Sequence, residues 1–255
     1  MATKISAALQ ALSRDLRYEP TTKRIRAYLG AELVLDSRSA VVMWEPRRVV
    51  PCYAVPATDV DAVLSVAGPP TRDAGASPAQ LPGIPFSRHS TPGTPLDVSA
   101  GGATAAGRGF ELKDADLAGY VAFDPEAFTW REEEDTVLSH PRDPFHRVDI
   151  RQSSRRVKVT SDELVLAESS APLMVFETNM AERIYLPSED VNWDALTPTD
   201  SSTLCPYKGQ ASYWRLAGGP DGDVAWSYLE PLAEAGELAG YVCFYDNLVD
   251  VAELP

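Results

Sequence analysis

Cysteine is scarce in this sequence. There are three in 255 residues, Cys52, Cys205 and Cys243, an odd number, widely spaced and without a CxxC pair. That argues against a disulfide framework and a cysteine-rich zinc site, and it suits a reducing cytoplasm. Long apolar runs are missing too, so no membrane span is expected. The opening "MATKISAALQALSRDLRYEP" has neither a continuous apolar core nor an obvious cleavage site, so no signal peptide is read there. Positive charge is in short supply: 23 Lys and Arg stand against 37 Asp and Glu, a net charge of −14. Such a field repels nucleic acid phosphates and anionic membrane surfaces. The densest basic clusters are Lys23, Arg24 and Arg26, and then Arg151, Arg155, Arg156 and Lys158. Both open predicted strands and read as solvated strand edges. Neither nucleic acid nor membrane is expected as a partner.

What is present is the composition of a globular protein, 44% hydrophobic and 24% charged, in a length that fits one large domain or two small ones. Ile5, Leu9, Leu12 and Leu16 recur at helical spacing and predict a short amphipathic helix packed on the body. A repeat then decides for two domains. "AELVLDSRSAVVMWEPRRVVPCYAVPATDV" (31–60) resembles "DELVLAESSAPLMVFETNMAERIYLPSEDV" (162–191), and "LAGYVAFDPEAF" (117–128) resembles "LAGYVCFYDNLV" (238–249). Both matches fall in the same order at similar separation. The expected layout is an N-terminal helix within 1–21, a first repeat domain over 22–134, a linker at 135–150 and a second repeat domain over 151–255.

Each copy reads as extended chain. "RRVKVTSDELVLAESS" alternates on both sides of a polar turn, and "APLMVFET" and "ERIYLPSEDV" read as two further strands. "ASYWRLAGG" and "DVAWSYLEPL" form a hairpin across 218–222, "PLAEAGELAG" a short helix, and "YVCFY" a last strand. The fold class expected is mainly β: two homologous small antiparallel barrels or sandwiches, each with a short helix. The copies are unequal. The Ala/Gly/Pro-rich stretch 67–109 of the first faces "TLCPYKGQASYW" (203–214) and "DVAWSYLEP" (223–231) of the second. "SRHSTPGTPLDV" (87–98) is aligned with "TLCPYKGQASYW", which puts His89 near the place of Cys205.

The motifs "LPSEDV" (186–191), "CPYKGQASYW" (205–214), "AWSYLEPL" (225–232) and "AGYVCFY" (239–245) resemble the bacterial domain-of-unknown-function family numbered 427, also carried under a nucleotidyltransferase-like label. The connector "HPRDPFHRVDIRQSSRRVKV" (140–159) resembles the linker of tandem, actinobacterial-type members. The resemblance implies small all-β domains of the β-tent type, the open barrel also seen in methionine sulfoxide reductase B. It brings no established reaction. The paired CxxC knuckles that hold zinc in such relatives are absent here, so no structural zinc is carried over. Nucleotidyl transfer needs a Gly-Ser turn and paired metal-binding carboxylates, and the sequence offers no such unit.

The candidate site residues gather in two places. Cys205 is either a nucleophile, its pKa lowered by Lys208, His140 or His146, or a small buried apolar residue. Lys208 stands on a Pro-Gly turn among aromatic rings, either gripping an anionic group or exposed. In "ASYWRL", Tyr213 and Trp214 face opposite sides, whereas Trp226 and Tyr228 of "AWSYLE" share one. These rings and Tyr207 either fill the core or line a cavity. The connector collects His140, Arg142, Asp143, His146, Arg147 and Asp149, either an acid/base site near neutral pH or an interdomain ion-pair network. No metal ligand set is assigned. "REEED" (131–135) reads as a solvated acidic face, and "LPSEDV" as a helix start capped by Ser188.

The expectation is an acidic cytoplasmic protein that binds a small organic metabolite in a pocket of the second domain. Tyr207, Lys208, Tyr213, Trp214, Trp226 and Tyr228 form the floor, closed from the domain interface by His140, Arg142 and His146. Any reaction is metal-free acid/base or transferase chemistry without a cofactor, and whether the protein is an enzyme stays open. One alternative is a non-catalytic interaction module that uses the 67–109 segment as an adaptable surface. The other is a redox protein built on Cys205. A duplicated domain satisfies its own interface, which favours a monomer over a dimer.

Overall fold

The computed structural model describes residues 2–68 and 84–255, and the chain divides into two compact units, Met1–Asp143 and Pro144–Pro255. Residues 69–83, the middle of the Ala/Gly/Pro-rich stretch, lie outside the described residues.

The first unit opens on α1 (Ile5–Leu12). Its apolar residues have the expected spacing, but Ile5 is 69% exposed, and Leu9 and Leu12 also face solvent. The helix therefore does not pack on the body as expected. The core clusters of this unit are filled by residues that follow the helix, beginning with Leu16. The strands are β1 (Arg17–Pro20), β2 (Ile25–Leu29), β3 (Glu32–Ser37), β4 (Val41–Trp44), β5 (Cys52–Pro56), β6 (Val63–Val66), β7 (Gly93–Ala100), β8 (Ala103–Leu112), β9 (Tyr120–Phe123), β10 (Thr129–Glu132) and β11 (Asp135–Thr136). They form a seven-stranded sheet, β1-β4-β5-β9-β8-β7-β6, and a four-stranded sheet, β11-β10-β2-β3. One core lies between the sheets, where Ile25, Val34, Leu35 and Trp130 meet Val55, Val98, Val121 and Phe123. A second, around Met43, Ala54, Phe110 and Ala122, covers the other face of the larger sheet.

The second unit repeats this plan with β12 (Val148–Gln152), β13 (Arg156–Ser161), β14 (Leu164–Ser169), β15 (Leu173–Glu177), β16 (Arg183–Pro187), β17 (Leu196–Cys205), β18 (Gly209–Leu216), β19 (Ala225–Ser227), β20 (Tyr241–Phe244) and β21 (Asp250–Leu254). The larger sheet runs β12-β15-β16-β20-β19-β18-β17, the same order strand for strand, and the smaller, β14-β13-β21, repeats β3-β2-β10 with no counterpart of β11 among the described residues. Ladder pairs correspond as well: Ala54 opposite Ala122 matches Tyr185 opposite Cys243, and Leu96 opposite Gly109 matches Trp214 opposite Ala225.

That register corrects the alignment of the two loops. Gly93 stands at the place of Ala211, so His89 corresponds to Tyr207 and Ser90 to Lys208, two residues away from the expected match with Cys205. The Pro-Gly pairs mislead the eye. Gly93 and Gly209 each open their strand, but β18 begins two residues earlier in the shared register than β7.

The described sheets are open, with free edge strands, and of the barrel or sandwich expected they do not form a true barrel. "PLAEAGELAG" forms a 3-10 helix, Ala233–Leu238, broken at Ala235, instead of a regular helix; six residues with a central Gly236 favour no longer run. Ser188 begins the 3-10 turn Ser188–Asp190 after Pro187 but makes no side-chain cap. Its carbonyl instead accepts the Trp193 indole N–H at 2.9 Å. β17, "LTPTDSSTLC", has no apolar alternation because it is a mostly exposed edge strand, where Pro198 is tolerated.

Candidate functional site

The second unit holds a buried carboxylate. β15 ends on Glu177, whose side chain is 5% exposed. Across from it the β17–β18 hairpin turns through Pro206, Tyr207 and Lys208, with Cys205 paired to Gly209. Gly209 takes φ +103°, and a Cβ there would meet the Glu230 carbonyl at 3.4 Å. The Leu232 amide donates to the Lys208 carbonyl at 3.0 Å, which ties the turn down. Lys208 is thereby buried, and its ammonium donates a short hydrogen bond to Glu177 Oε1. The Tyr228 ring lies 5.9 Å from that nitrogen.

His146 comes in from the other side. Its Nε2 is 3.5 Å from Glu177 Oε2, within ion-pair reach but too long for a firm hydrogen bond. Nε2 is buried and has no hydrogen-bond partner among the described residues. The ring stacks on Tyr207 with centroids 4.3 Å apart. Burial pushes the Glu177 carboxyl up, but the imidazole and the Lys208 charge together pull it further down, so its pKa lies below the ordinary value. The tyrosines respond the other way. Burial raises Tyr228, with Cys205 and Glu177 adding to the shift, and it raises Tyr245 to about 12 with help from Tyr213. Trp226 Nε1 donates to the Tyr185 hydroxyl at 3.0 Å, and the Tyr213 and Thr203 hydroxyls are 2.6 Å apart.

The first unit has its own version of the carboxylate. By the ladder register Glu45 corresponds to Glu177, and Glu45 is also buried. Its Oε1 is 2.8 Å from His89 Nδ1, and the amide of Ser90, at the place of Lys208, donates to Oε2. Arg48 Nε is 3.7 Å away. Burial raises Glu45, and His89, Ser90 and Arg48 lower it further, to below the ordinary value. The His89 ring lies flat on Phe110 at 3.5 Å and edge-on to Phe86, and its Nε2 is buried without a partner among the described residues.

The predicted residues fall into three groups. His146, Cys205, Tyr207, Lys208, Tyr213, Trp226 and Tyr228 gather around Glu177 or in the adjoining core cluster. Trp214 parts from them. It packs in the core between the sheets and meets Trp193 at 5.3 Å, because successive residues of β18 point to opposite faces. His140 and Arg142 belong to the first unit, where His140 Nδ1 is 2.8 Å from the Pro141 carbonyl. Lys208, expected to hold an anion, has its charge on Glu177.

Other sequence readings take concrete form. Asp149 binds Arg147 and Arg151 at 3.0 and 2.6 Å on the surface of β12. The basic clusters face carboxylates: Lys23 meets Glu132 and Arg155 meets Glu253 at equivalent places in the two copies. "REEED" is not simply a solvated face, since Glu132 also accepts the buried Tyr53 hydroxyl. Cys52 and Cys243 are buried, which pushes both thiols up, and all three cysteines are free. Among the described residues no group of three His, Cys, Asp or Glu side chains is placed to hold a metal ion.

Sequence reasoning missed Glu177 and Glu45. The signal was there in the repeat, since "MVFE" and "VMWE" each end an apolar strand on glutamate. Two hollows in the second unit lie apart from this cluster. One of about 370 Å³ is bounded by Thr199, Asp200, Arg215 and Asp223, and one of about 220 Å³ opens between the two sheets.

Residues 149–254, nearly the whole second unit, match the family model described as Domain of unknown function (DUF427). No curated protein matches the chain. The first unit repeats the strand order of the matched segment, so the chain is a duplicated β-domain protein whose second copy carries the DUF427-type fold.

Proposed function

We propose that the second unit binds a small organic metabolite at the Glu177 cluster, in a cytoplasmic and monomeric protein whose two domains are of the β-tent type. The observation that carries this reading is the buried Lys208–Glu177 pair with His146 against it. Desolvating two charges is costly, and removing both in favour of apolar side chains is often neutral or stabilising. A buried carboxylate whose pKa is displaced by charged neighbours, as that of Glu177 is, therefore marks a candidate site. Tyr207, Tyr213, Trp226 and Tyr228 supply flat walls, and Cys205 lies beside them. With Nε2 turned to Glu177, Nδ1 is the His146 nitrogen left to exchange a proton with a ligand, and Glu177 and Tyr207 fix the ring. Acid/base or transfer chemistry without a metal fits that arrangement.

A second reading is structural. Glu45 holds the corresponding loop of the first unit through Ser90, so Glu177 acts there as a staple for the 206–208 turn. A metabolite thermal-shift screen separates the two. A ligand at a hundredfold its dissociation constant adds roughly 2.7 kcal/mol. Under the binding reading that shift disappears in His146→Ala and survives in Cys205→Ser. A shift untouched by both His146→Ala and Lys208→Met leaves the staple alone, and its loss in Cys205→Ser turns the reading towards thiol chemistry.

A further inference from the structure

The two copies fill the space between their sheets differently. In the first unit Tyr53 on β5 and Trp130 on β10 meet there with centroids 5.1 Å apart, and Phe123 and Phe128 pack edge-on against Trp130. Tyr53 and Trp130 are both buried, and the Tyr53 hydroxyl donates to Glu132 Oε1, while Lys23 takes Oε2 of the same carboxylate. The ladders fix the equivalents in the second unit. Met174 opposite Ile184 matches Val42 opposite Tyr53, and Val159 opposite Val251 matches Ala27 opposite Trp130. Tyr53 has become Ile184, Phe128 has become Val249 and Trp130 has become Val251. Phe123 is kept as Phe244, and the ion pair is kept as Arg155 on Glu253 Oε1 at 2.7 Å.

Three rings are thus replaced by aliphatic side chains inside a conserved frame. Val159 for Ala27 and Leu186 for Val55 add bulk beside the vacated places, and Trp214 for Leu96 adds a ring to the same core away from them. What remains is the hollow of about 220 Å³ bounded by Val159, Ile184, Leu186, Phe244, Val251 and Glu253. It lies on the face of the larger sheet opposite the Glu177 cluster, since Leu186 and Phe244 belong to the core between the sheets and Tyr185 and Cys243 to the other.

We propose that this hollow is a binding site for a small hydroxylated aromatic molecule of the phenol or hydroxyindole class. Its ring takes the space that Trp130 and Tyr53 occupy in the first copy, against Phe244 and the aliphatic walls. Its hydroxyl donates to Glu253, as the Tyr53 phenol does to Glu132. The first copy serves as the internal picture of the filled site, with a covalently attached occupant. Buried Val159, Leu186 and Phe244 line the slot with Ile184 and Val251, and its mouth carries Glu182, Glu253 and the Arg183–Asp246 pair. A mostly acidic rim over an apolar wall selects a ring with a donor over a plain ring or an anion.

The test uses the full chain with 5-hydroxyindole and indole as probes, followed by saturation-transfer NMR and calorimetry. The expected result is binding of 5-hydroxyindole about tenfold or more tighter than indole, since a hydrogen bond to a charged acceptor supplies the difference. Ile184→Tyr/Val251→Trp, which copies the first unit's plug, is expected to abolish it while cooperative unfolding is retained. No binding by the native chain, or undiminished binding by the folded double variant, overturns the proposal. If the double variant does not fold, Val251→Phe and Glu253→Gln carry the same test. Weaker binding in both supports the site, and unchanged affinity in either overturns it.

Discussion

At the scale of single residues the buried carboxylates make the sharpest predictions. Lys208→Met leaves Glu177 buried without its cation, and breaking such a pair costs about 3–5 kcal/mol. Glu177→Leu/Lys208→Met removes both charges and is expected to recover most of that loss in urea unfolding. A single-variant cost below about 1 kcal/mol would place the pair in effective contact with water. The pH dependence has a definite sign. Glu177 and Glu45 are both held below the ordinary carboxylate pKa in the folded state. Their contribution is complete above the unfolded value of about 4.3 and drains away as acid takes the pH down through the folded values. Unfolding free energy is therefore expected to fall on acidification below about pH 5. Glu177→Gln should flatten that fall, and an acid limb of unchanged slope would contradict the assignment. Neither glutamate stood out in the sequence. Residue type drew the eye to "LCPYKGQASYW", whereas a glutamate ending a strand looks like any solvated strand end until its partners arrive from distant segments, 31 residues away for Lys208.

At the scale of elements, alternation and turn chemistry revealed the apolar strands and hid the polar ones. The β13–β14 hairpin is legible because Val157 and Val159 alternate with polar residues before a polar turn, and burial follows that pattern. β17 is illegible because an edge strand needs no apolar face. The helix α1 shows the converse failure, since its spacing marks a helix but cannot say whether a surface awaits it. The turn that carries Lys208 depends on Gly209. An L-residue at φ +103° is strained, and the nearby Glu230 carbonyl leaves little room for a shift. Gly209→Ala is expected to cost roughly 1–2 kcal/mol and to loosen the Lys208–Glu177 contact, read as faster amide exchange at Leu232. On β10, Trp130→Val opens the first unit's core where Tyr53, Phe123 and Phe128 converge, at a cost of about 3–5 kcal/mol. A cost near zero would mean that the rings repack as aliphatic residues do around Val251.

At the scale of the whole molecule, one strand order is used twice with opposite treatment of its interior. The first copy packs both of its special places more tightly: the His89 ring lies between Phe86 and Phe110 over Glu45, and the space between the sheets is filled by Tyr53 and Trp130. The second leaves both more open, with His146 partly exposed over Glu177 and a hollow beside Glu253. Duplication lets one copy fill its interior with rings while the other keeps a hollow, which is legible in the sequence only as a loss of aromatics from one set of positions and a gain at another. Each unit has its own cores, built from residues within its own span. A unit of roughly 110 residues is large enough to bury a stable interior. A fragment of residues 144–255 is therefore expected to fold by itself, with a dispersed amide spectrum and a single cooperative urea transition. It should retain the acid sensitivity that Glu177 confers, because Lys208 and His146 travel with it. A fragment with collapsed amide dispersion would show that the second copy's interior, hollow included, is too sparsely filled to stand without the first.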